Sequence, residues 1–295
     1  MSALTQGTKF PAELVREMFD KTKGHSALAK LSGATPISFS GNTVFVFSVD
    51  GEASVVGEGG AKPAGSTTVT PVVIKPIKLV YQSRVTDEFL KCADEKRLEH
   101  LRNHAEGFAK KIGRAIDIVG LHGVDPASKQ TISALADKCF DGVVTNKVSY
   151  NSSKPDENLD DAVALIEDGG VTGIALAPTF ASAMGKMKTT NGYLYPEYRF
   201  GRNPENFEGL ASDVNSTVDF NNGDDMAIVG DFANAFKWGF AEDVNFEVIE
   251  YGDPDGAGRD LKRYNEVLLR SEAYIGFGIL DKDAFAIVTD GTVSA

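Results

Sequence analysis

Hydrophobic positions change period several times along the chain, and each change marks an expected element. The strongest signal spans residues 86 to 120. Phe89, Ala93, Leu98, Leu101, Ala105, Phe108, Ile112, Ile116 and Val119 recur there at mostly three- and four-residue spacing. Thr86 stands where an N-cap belongs, Asp87 and Glu88 fall in the first turn, and Lys110, Lys111 and Arg114 lie toward the end. Gly120 is the expected stop. A helix of this length reaches roughly 50 Å, well beyond the three turns of an average globular helix. It reads as a spine.

Ahead of the spine, apolar and small residues alternate from Val44 to Asp50, the tip GEASVVGEGGAKPAGST follows, and an extended run, VTPVVIKPIKLVYQSR, returns. Pro71 and Pro76 each remove a ladder donor, so the returning run belongs at an edge or in a protruding hairpin. A long, partly apolar edge calls for a partner, which another copy of the chain can supply. Residues 1 to 44 combine an amphipathic stretch, Ala12 to Phe19, with polar and Gly/Pro punctuation. They read as an arm with little core of its own.

Beyond the spine come helical signals at 127 to 139 and 159 to 167, then Gly169-Gly170, the buried-strand run TGIALAP and a helix near 179 to 187. This alternation implies an α/β lobe. Residues Thr189 to Phe207, rich in Gly, Tyr, Pro and Asn, are long for a connector and read as a functional or interface loop. MAIVGDF, FKWGF, VNFEVIEY, EVLLRSEAYIGFGI and AFAIVTD make a strand-rich finish, interrupted by the loop GDPDGAGRD.

Composition narrows the function. A chain of 295 residues has room for two compact lobes. Its net charge of -12 and pI near 4.9 oppose a general grip on phosphate. The apolar runs stop well short of the roughly 20 residues of a membrane span, and the N-terminus shows no signal-peptide core. A soluble protein made in the cytoplasm, without membrane contact, is expected. Cys92 and Cys139 stand far apart without a CxxC partner, so they are expected as small buried residues rather than disulfide or zinc ligands.

Candidate chemistry is sparse. GEGGAKPAG fails the P-loop spacing, because Pro63 follows Lys62 and no helix start is signalled. His100 and His104 share a helix face but lack the Glu of a metalloprotease motif, so a solvated or subunit-facing stripe is expected. His25 and His122 lie near glycines, in the arm and a turn. Asp213, Asp219, Asp224 and Asp225 lack a calcium-loop register, and Asp253, Asp255 and Asp260 fit a glycine-rich turn. No nucleophile motif accompanies any histidine. No cofactor and no metal are expected. Tyr193, Tyr195, Tyr198 and Phe200 with Arg199 and Arg202 have the composition of an interface hot spot, and a self-packed loop fits equally.

Taken in order, an arm, a hairpin with a lysine-proline tip, a spine helix, an α/β lobe and a strand-rich tail form a distinctive series. With Glu58 to Pro63, Gly173 to Pro178, IVGDFANAF from Ile228 and RSEAYIGFGILDKDAFAIV, it resembles the tailed-bacteriophage major capsid protein family with the Hong Kong 97 fold, over nearly the whole chain. The resemblance implies an α+β fold with an N-terminal arm at 1–44 and an extended loop at 45–85. It further implies a peripheral domain at 86–126 and 236–281 and an axial domain at 127–235 and 282–295. It implies a structural subunit, not an enzyme, that self-assembles into pentamers and hexamers of an icosahedral shell enclosing double-stranded DNA without reading its sequence. A portal protein, a decoration protein and a virion location after assembly in the host cytoplasm belong to the same picture. The chain shows no long N-terminal coiled segment of the kind some relatives use as a fused scaffold, so a separate scaffolding protein is expected. An encapsulin-like nanocompartment shell is the alternative on the same fold. An α/β enzyme would need a convergent nucleophile, base and oxyanion donors.

Inter-subunit contacts are expected at Glu58, Lys62, Pro63, Tyr195, Tyr198, Arg199 and Arg202. In some members of the resembled family a loop-tip lysine joins an asparagine of a neighbour, assisted by a glutamate seven residues after it. Lys62, Asn265 and Glu272 stand in those places, and Val267, Leu268 and Leu269 are candidates for the apolar surroundings that would keep the amine neutral.

Overall fold

The computed structural model describes residues 25–50, 55, 56, 58, 66–88, 94–166, 170–190, 192–221, 223–241 and 245–291, with no side-chain description for 48–50, 66–67, 94–101 and 245–246. Among the described residues, two main sheets share one continuous core, and a two-stranded hairpin stands apart from it.

The spine is present as the long helix of the described residues. A short helix α1 (Ala27–Leu31) lies in the arm, and α2 (Asp94–His122) runs for 29 residues, about 44 Å at 1.5 Å per residue. Ala105, Phe108, Ile112, Ile116 and Val119 are all buried, as the period required. From Ala115 onward every face of α2 is buried, which places its C-terminal end inside the core. Phe89 and Ala93 lie outside the described residues, as do the side chains of Leu98 and Leu101.

Gly120 does not stop the helix. A Cβ there would meet Leu28 Cδ1 at 2.6 Å, so the glycine lets α1 cross α2 closely. The helix ends two residues later, and Gly123 takes the left-handed conformation, φ +63, that terminates it.

The arm departs from expectation in one segment, Ser26 to Ser32, which is core, whereas most of its described residues beyond Ser32 are exposed or half-buried. Ala27, Leu28, Ala29 and Leu31 are buried. Asp117 of α2 holds them in place: it accepts from Ser26 Oγ (2.6 Å), the Ala27 and Leu28 amides (2.8 and 3.1 Å) and Thr217 Oγ1 (2.8 Å). Two of these donors are the free N–H groups of the first turn of α1, which a carboxylate satisfies well. Burial still outweighs these donors and pushes Asp117 up to about 6. Farther along, the Thr35 carbonyl crosses where a Cβ on Gly239 would sit, 1.7 Å away. The amphipathic stretch Ala12 to Phe19 lies outside the described residues.

One sheet has four strands. β13 (Glu266–Ile279) is its axis, flanked along one edge by β3 (Ile77–Thr86) and along the other by β12 (Asn245–Ile249) and then β11 (Phe236–Phe240). β3 falls within the extended loop that the resemblance implies at 45–85. Pro76 separates it from the hairpin, and its ten residues ladder instead onto β13, from Ile77↔Ile275 to Thr86↔Glu266. The hairpin itself is β1 (Asn42–Asp50) and β2 (Ser66–Ile74), paired from Asn42↔Ile74 to Asp50↔Ser66. A two-stranded sheet has only edges, which accommodates Pro71. Its root is held by Ile74, packed on Gly276 and Gly278 of β13, where a Cβ would meet it at 2.9 Å in each case.

The other sheet has six strands in the order β4 (Lys147–Ser149), β14 (Phe285–Thr289), β10 (Asp225–Gly230), β5 (Gly173–Leu176), β9 (Leu210–Val214) and β8 (Asn206–Phe207). Helices α4 (Pro155–Ala164) and α5 (Pro178–Lys186) pack on β10, and α1 packs on β5 and β9. β5 and β14 are buried at every residue as a result. Phe140, Phe232, Phe236 and Phe285, with ring centroids 4.9 to 6.0 Å apart, join the two sheets.

The helix expected at 127 to 139 is absent. Asp125 accepts from the Ala127 and Ser128 amides, Lys129 takes φ 58, and the segment folds into turns that end in the four-residue helix α3 (Phe140–Val143). The next helix starts earlier than its apolar pattern implied, because Pro155 is well suited to a first helical position. No helix among the described residues is long and apolar enough to cross a membrane.

Candidate assembly surfaces

The hairpin presents an apolar face to solvent. Register places Thr43 opposite Val73, Phe45 opposite Pro71 and Phe47 opposite Val69, so these six residues share one side. Phe45 is 59% exposed, Phe47 69%, and Val69 and Val73 close to half. Val44 and Val46, on the other side, are half-buried. An open groove of about 990 Å³ lies between the hairpin and the body, where Asn146, Leu165, Asp231 and Leu280 form the far wall. Glu58 is exposed in a turn, whereas Lys62 and Pro63 lie outside the described residues.

The aromatic loop divides in two. It opens with a two-residue ladder, β6 (Lys188–Thr189) on β7 (Gly192–Tyr193), and continues through a 3-10 turn, Pro196–Gly201. Tyr198 turns inward: it is 2% exposed, shares a 3.2 Å hydrogen bond with Ser212 Oγ, and its backbone lies 2.9 Å from where a Cβ of Gly185 would be. Tyr195 is half-buried, edge-on to Phe207 and donating to Asp156 at 3.4 Å. Arg199 lies over the Tyr193 ring at 3.6 Å and beside Phe200 at 4.5 Å. Phe200 is 85% exposed, and Arg202 is exposed too. The loop packs on itself through Tyr195 and Tyr198 and offers Tyr193, Arg199, Phe200 and Arg202 outward.

Asn265 is exposed, in the left-handed conformation (φ 54) that closes a short 3-10 turn before β13. Glu272 lies mid-strand in β13, 2.7 Å from Lys78 Nζ. Seven residues of extended chain separate the two by about 23 Å, so they cannot act on one bond within a single subunit. Val267, Leu268 and Leu269 are buried inside the subunit, so within one copy they are not open apolar surroundings for the exposed Asn265.

The remaining candidates take structural places. His104 is not on a solvated stripe: it points at the four-stranded sheet between Ser83 Oγ (3.3 Å) and Ser271 Oγ (3.1 Å), and burial lowers it to about 4. The His100 side chain lies outside the described residues, as does Cys92, while Cys139 is buried as expected. Asp253 and Asp255 bind Arg84, which also reaches Glu266 at 3.0 Å and fastens the glycine-rich loop to β3. Asp260 accepts from the Gly252 and Arg263 amides, so this acidic group is a turn. Asp213 binds Lys30 of α1 at 2.9 Å. His122 is the last residue of α2 rather than part of a turn, and it faces Asp141 and Asp225. Burial and the adjoining Asp141 carboxylate push Asp225 well above the usual carboxylate range. Sequence pattern carried no signal for this grouping, since its members come from three elements.

A two-sheet α+β body with a separate apolar hairpin defines the class of subunit. The profile of the phage capsid family matches residues 7–290, and the chain belongs to that family. Among solved structures it is similar to a protein of Mycobacterium phage Ogopogo, at 31% identity and TM-score 0.76, covering 99% of this chain and 94% of the other. A protein of Gordonia phage Cozz follows at 22% identity and TM-score 0.73, covering 90% and 86%. The capsid of a native GTA particle shares the fold at 15% identity and TM-score 0.62, covering 99% and 95%. No curated protein matches the chain. The fold is of the Hong Kong 97 type, and the protein is a bacteriophage major capsid protein, a structural component of the virion.

Proposed function

We propose that the subunits assemble in the host cytoplasm into pentamers and hexamers of an icosahedral shell around double-stranded DNA. The hairpin face built on Phe45, Phe47, Val69 and Val73 is the main seam between neighbours in this reading. The observation that carries it is that face itself. A capsid-family subunit leaves two phenylalanines and two valines on one hairpin face in water, and monomeric proteins do not keep so long an apolar edge uncovered. The GTA protein of the same fold forms the capsid of a particle, in keeping with assembly into a shell. An acidic subunit, net charge -12, suits a shell that contains DNA without gripping it. A portal protein, a separate scaffolding protein and a decoration protein complete the proposed assembly.

The proposed domain division follows the two sheets. The peripheral domain comprises α2 with β11, β12 and β13 and gains β3, and the axial domain holds the six-stranded sheet with β14. Lys62 of one copy is further proposed to attack the Asn265 side-chain amide of another. A C–N bond forms, ammonia leaves, and a carboxylate takes the amine proton. Asn265's exposure favours this step, and any glutamate that assists comes from a different copy than the asparagine.

Electron microscopy and sedimentation of the expressed full chain test the assembly: closed shells are expected, and a monomer under all assembly conditions overturns it. Denaturing electrophoresis of mature shells tests the bond. A ladder of multimers that disappears in Lys62→Arg is expected, and a single monomer band from mature wild-type shells removes the covalent step.

A further inference from the structure

The C-terminal end of α2, the start of α3 and the start of β10 meet at a polar cluster that no assembly surface uses. His122 Nδ1 lies 2.8 Å from Asp141 Oδ2 and 4.0 Å from Asp225 Oδ2. One donor atom from each residue falls within 4.8 Å of the others. His122 Nε2 is 2.8 Å from the Thr217 carbonyl, an oxygen that only accepts, so Nε2 carries a proton and Nδ1 is the ring atom turned toward the carboxylates. Burial lowers the ring's pKa, but Asp141 more than offsets it and favours a proton on Nδ1, and a metal ion at Nδ1 takes the place of that proton. A ring fixed by a backbone carbonyl on its far side is the usual support of a metal-bound histidine.

Asp225 supplies the second, independent observation. Its side chain is 10% exposed, and its Oδ2 is buried with no hydrogen-bond partner among the described residues. That atom faces His122 Nδ1, and the Asp225 carboxylate touches that of Asp141. Without protons the two carboxylates and Nδ1 are all acceptors, so the group is held together either by protons, as the raised Asp225 and His122 indicate, or by a bound cation that replaces them. A tetrahedral ion with bonds of about 2.0–2.1 Å holds its ligand atoms about 3.3 Å apart. The observed 2.8 and 4.0 Å bracket that spacing.

We propose that His122 Nδ1, Asp141 and Asp225 form a binding site for a divalent transition-metal ion of the zinc type. The three protein ligands leave the fourth position to water on the solvent side, where the Asp141 side chain is 39% exposed. The imidazole selects against magnesium and calcium, which prefer all-oxygen shells. The ion ties the end of the spine helix to β10 and so fastens the helix to the six-stranded sheet. Lys147 lies near both carboxylates and opposes the ion. The competing occupant is a proton shared between Asp141 and Asp225.

Calorimetric titration of zinc chloride into the chelator-treated full chain separates the two. One zinc ion per chain is expected, with affinity at least tenfold weaker in Asp225→Asn, unchanged in Cys139→Ser and tighter in Lys147→Met. Millimolar magnesium should not compete. His122→Gln provides a second test should Asp225→Asn lose its native near-UV dichroism. The proposal is overturned if folded wild-type protein takes up no zinc, leaving a shared proton. It is also overturned if Asp225→Asn and His122→Gln bind as wild type does, or if Cys139→Ser alone abolishes uptake.

Discussion

The six-stranded sheet and the β1–β2 hairpin are made of similar residues and meet opposite surroundings. Phe285, Ala286, Ile287 and Val288 of β14 are all at 0% exposure, because β4 and β10 flank the strand and α4 packs on it. Phe45 and Phe47 are just as apolar, yet more than half of each faces water. Burying such a side chain is worth roughly 1.5–3 kcal/mol, a gain the sheet collects on folding and the hairpin face leaves uncollected in the lone subunit. Damage to the sheet should therefore appear as lost folding, and damage to the hairpin as lost assembly.

The sharpest break in that contrast is a charge in the sheet. Val229→Asp or Ile287→Asp puts an unpaired carboxylate at a site with 0% exposure, should cost more than about 4 kcal/mol, and should leave no soluble folded subunit. Soluble yield and thermal melting check it, and normal melting would show the core to be misplaced. By contrast, Phe45→Ser with Phe47→Ser should keep subunit stability within about 0.5 kcal/mol while shell yield falls at least tenfold. Urea unfolding and sedimentation read the two halves separately. Wild-type shell yield would remove the hairpin face from the seam.

Next in size are two buried titratable groups with opposite pH signs. Asp117, raised to about 6, binds a proton more tightly folded than unfolded, so its contribution is full below about pH 4 and is lost as pH rises through 6. His104, lowered to about 4, contributes above about pH 6.5 and loses that contribution as pH falls through 4. Shifts of this size correspond to at most about 3 kcal/mol each, and in the wild type they largely offset one another between pH 4 and 6. Asp117→Asn should thus leave the subunit steeply acid-sensitive in that window and His104→Gln should reverse the slope, measured by urea unfolding from pH 4 to 7. Unchanged slopes in both variants would refute the assignment. Asp117→Asn also turns an amide N–H toward existing donors, adding about 2 kcal/mol of loss at pH 7 and loosening α1.

The smallest expected effect is a gain. Lys129 is exposed with φ 58, so Lys129→Gly should raise stability by about 0.5–1 kcal/mol, seen in thermal melting, without changing shell yield.

Much of this was legible along the chain. The stripe from Ala105 to Val119 announces α2 because a 3.6-residue period has no other simple solution, and Pro71 pointed to a strand with only edges. The aromatic loop was half legible: composition marked it as special, but only packing separates buried Tyr198 from exposed Phe200. Gly120 departs from its sequence signal because a glycine near a helix end ordinarily marks a cap, whereas here it answers to Leu28, far away in the arm. The His122 grouping was invisible, since its ligands belong to two helices and a strand with no shared spacing.

Period, turn chemistry and edge signals are local properties, and through them the sequence alone determined the spine, the hairpin, the strand-rich tail and the capsid likeness. Tertiary structure decided the rest: that α1 docks on Asp117, that β3 leaves the hairpin for β13, and that His122, Asp141 and Asp225 face one another. Each of these depends on which distant surfaces remain to be buried once the local elements exist, and close packing resolves that choice for the whole molecule at once.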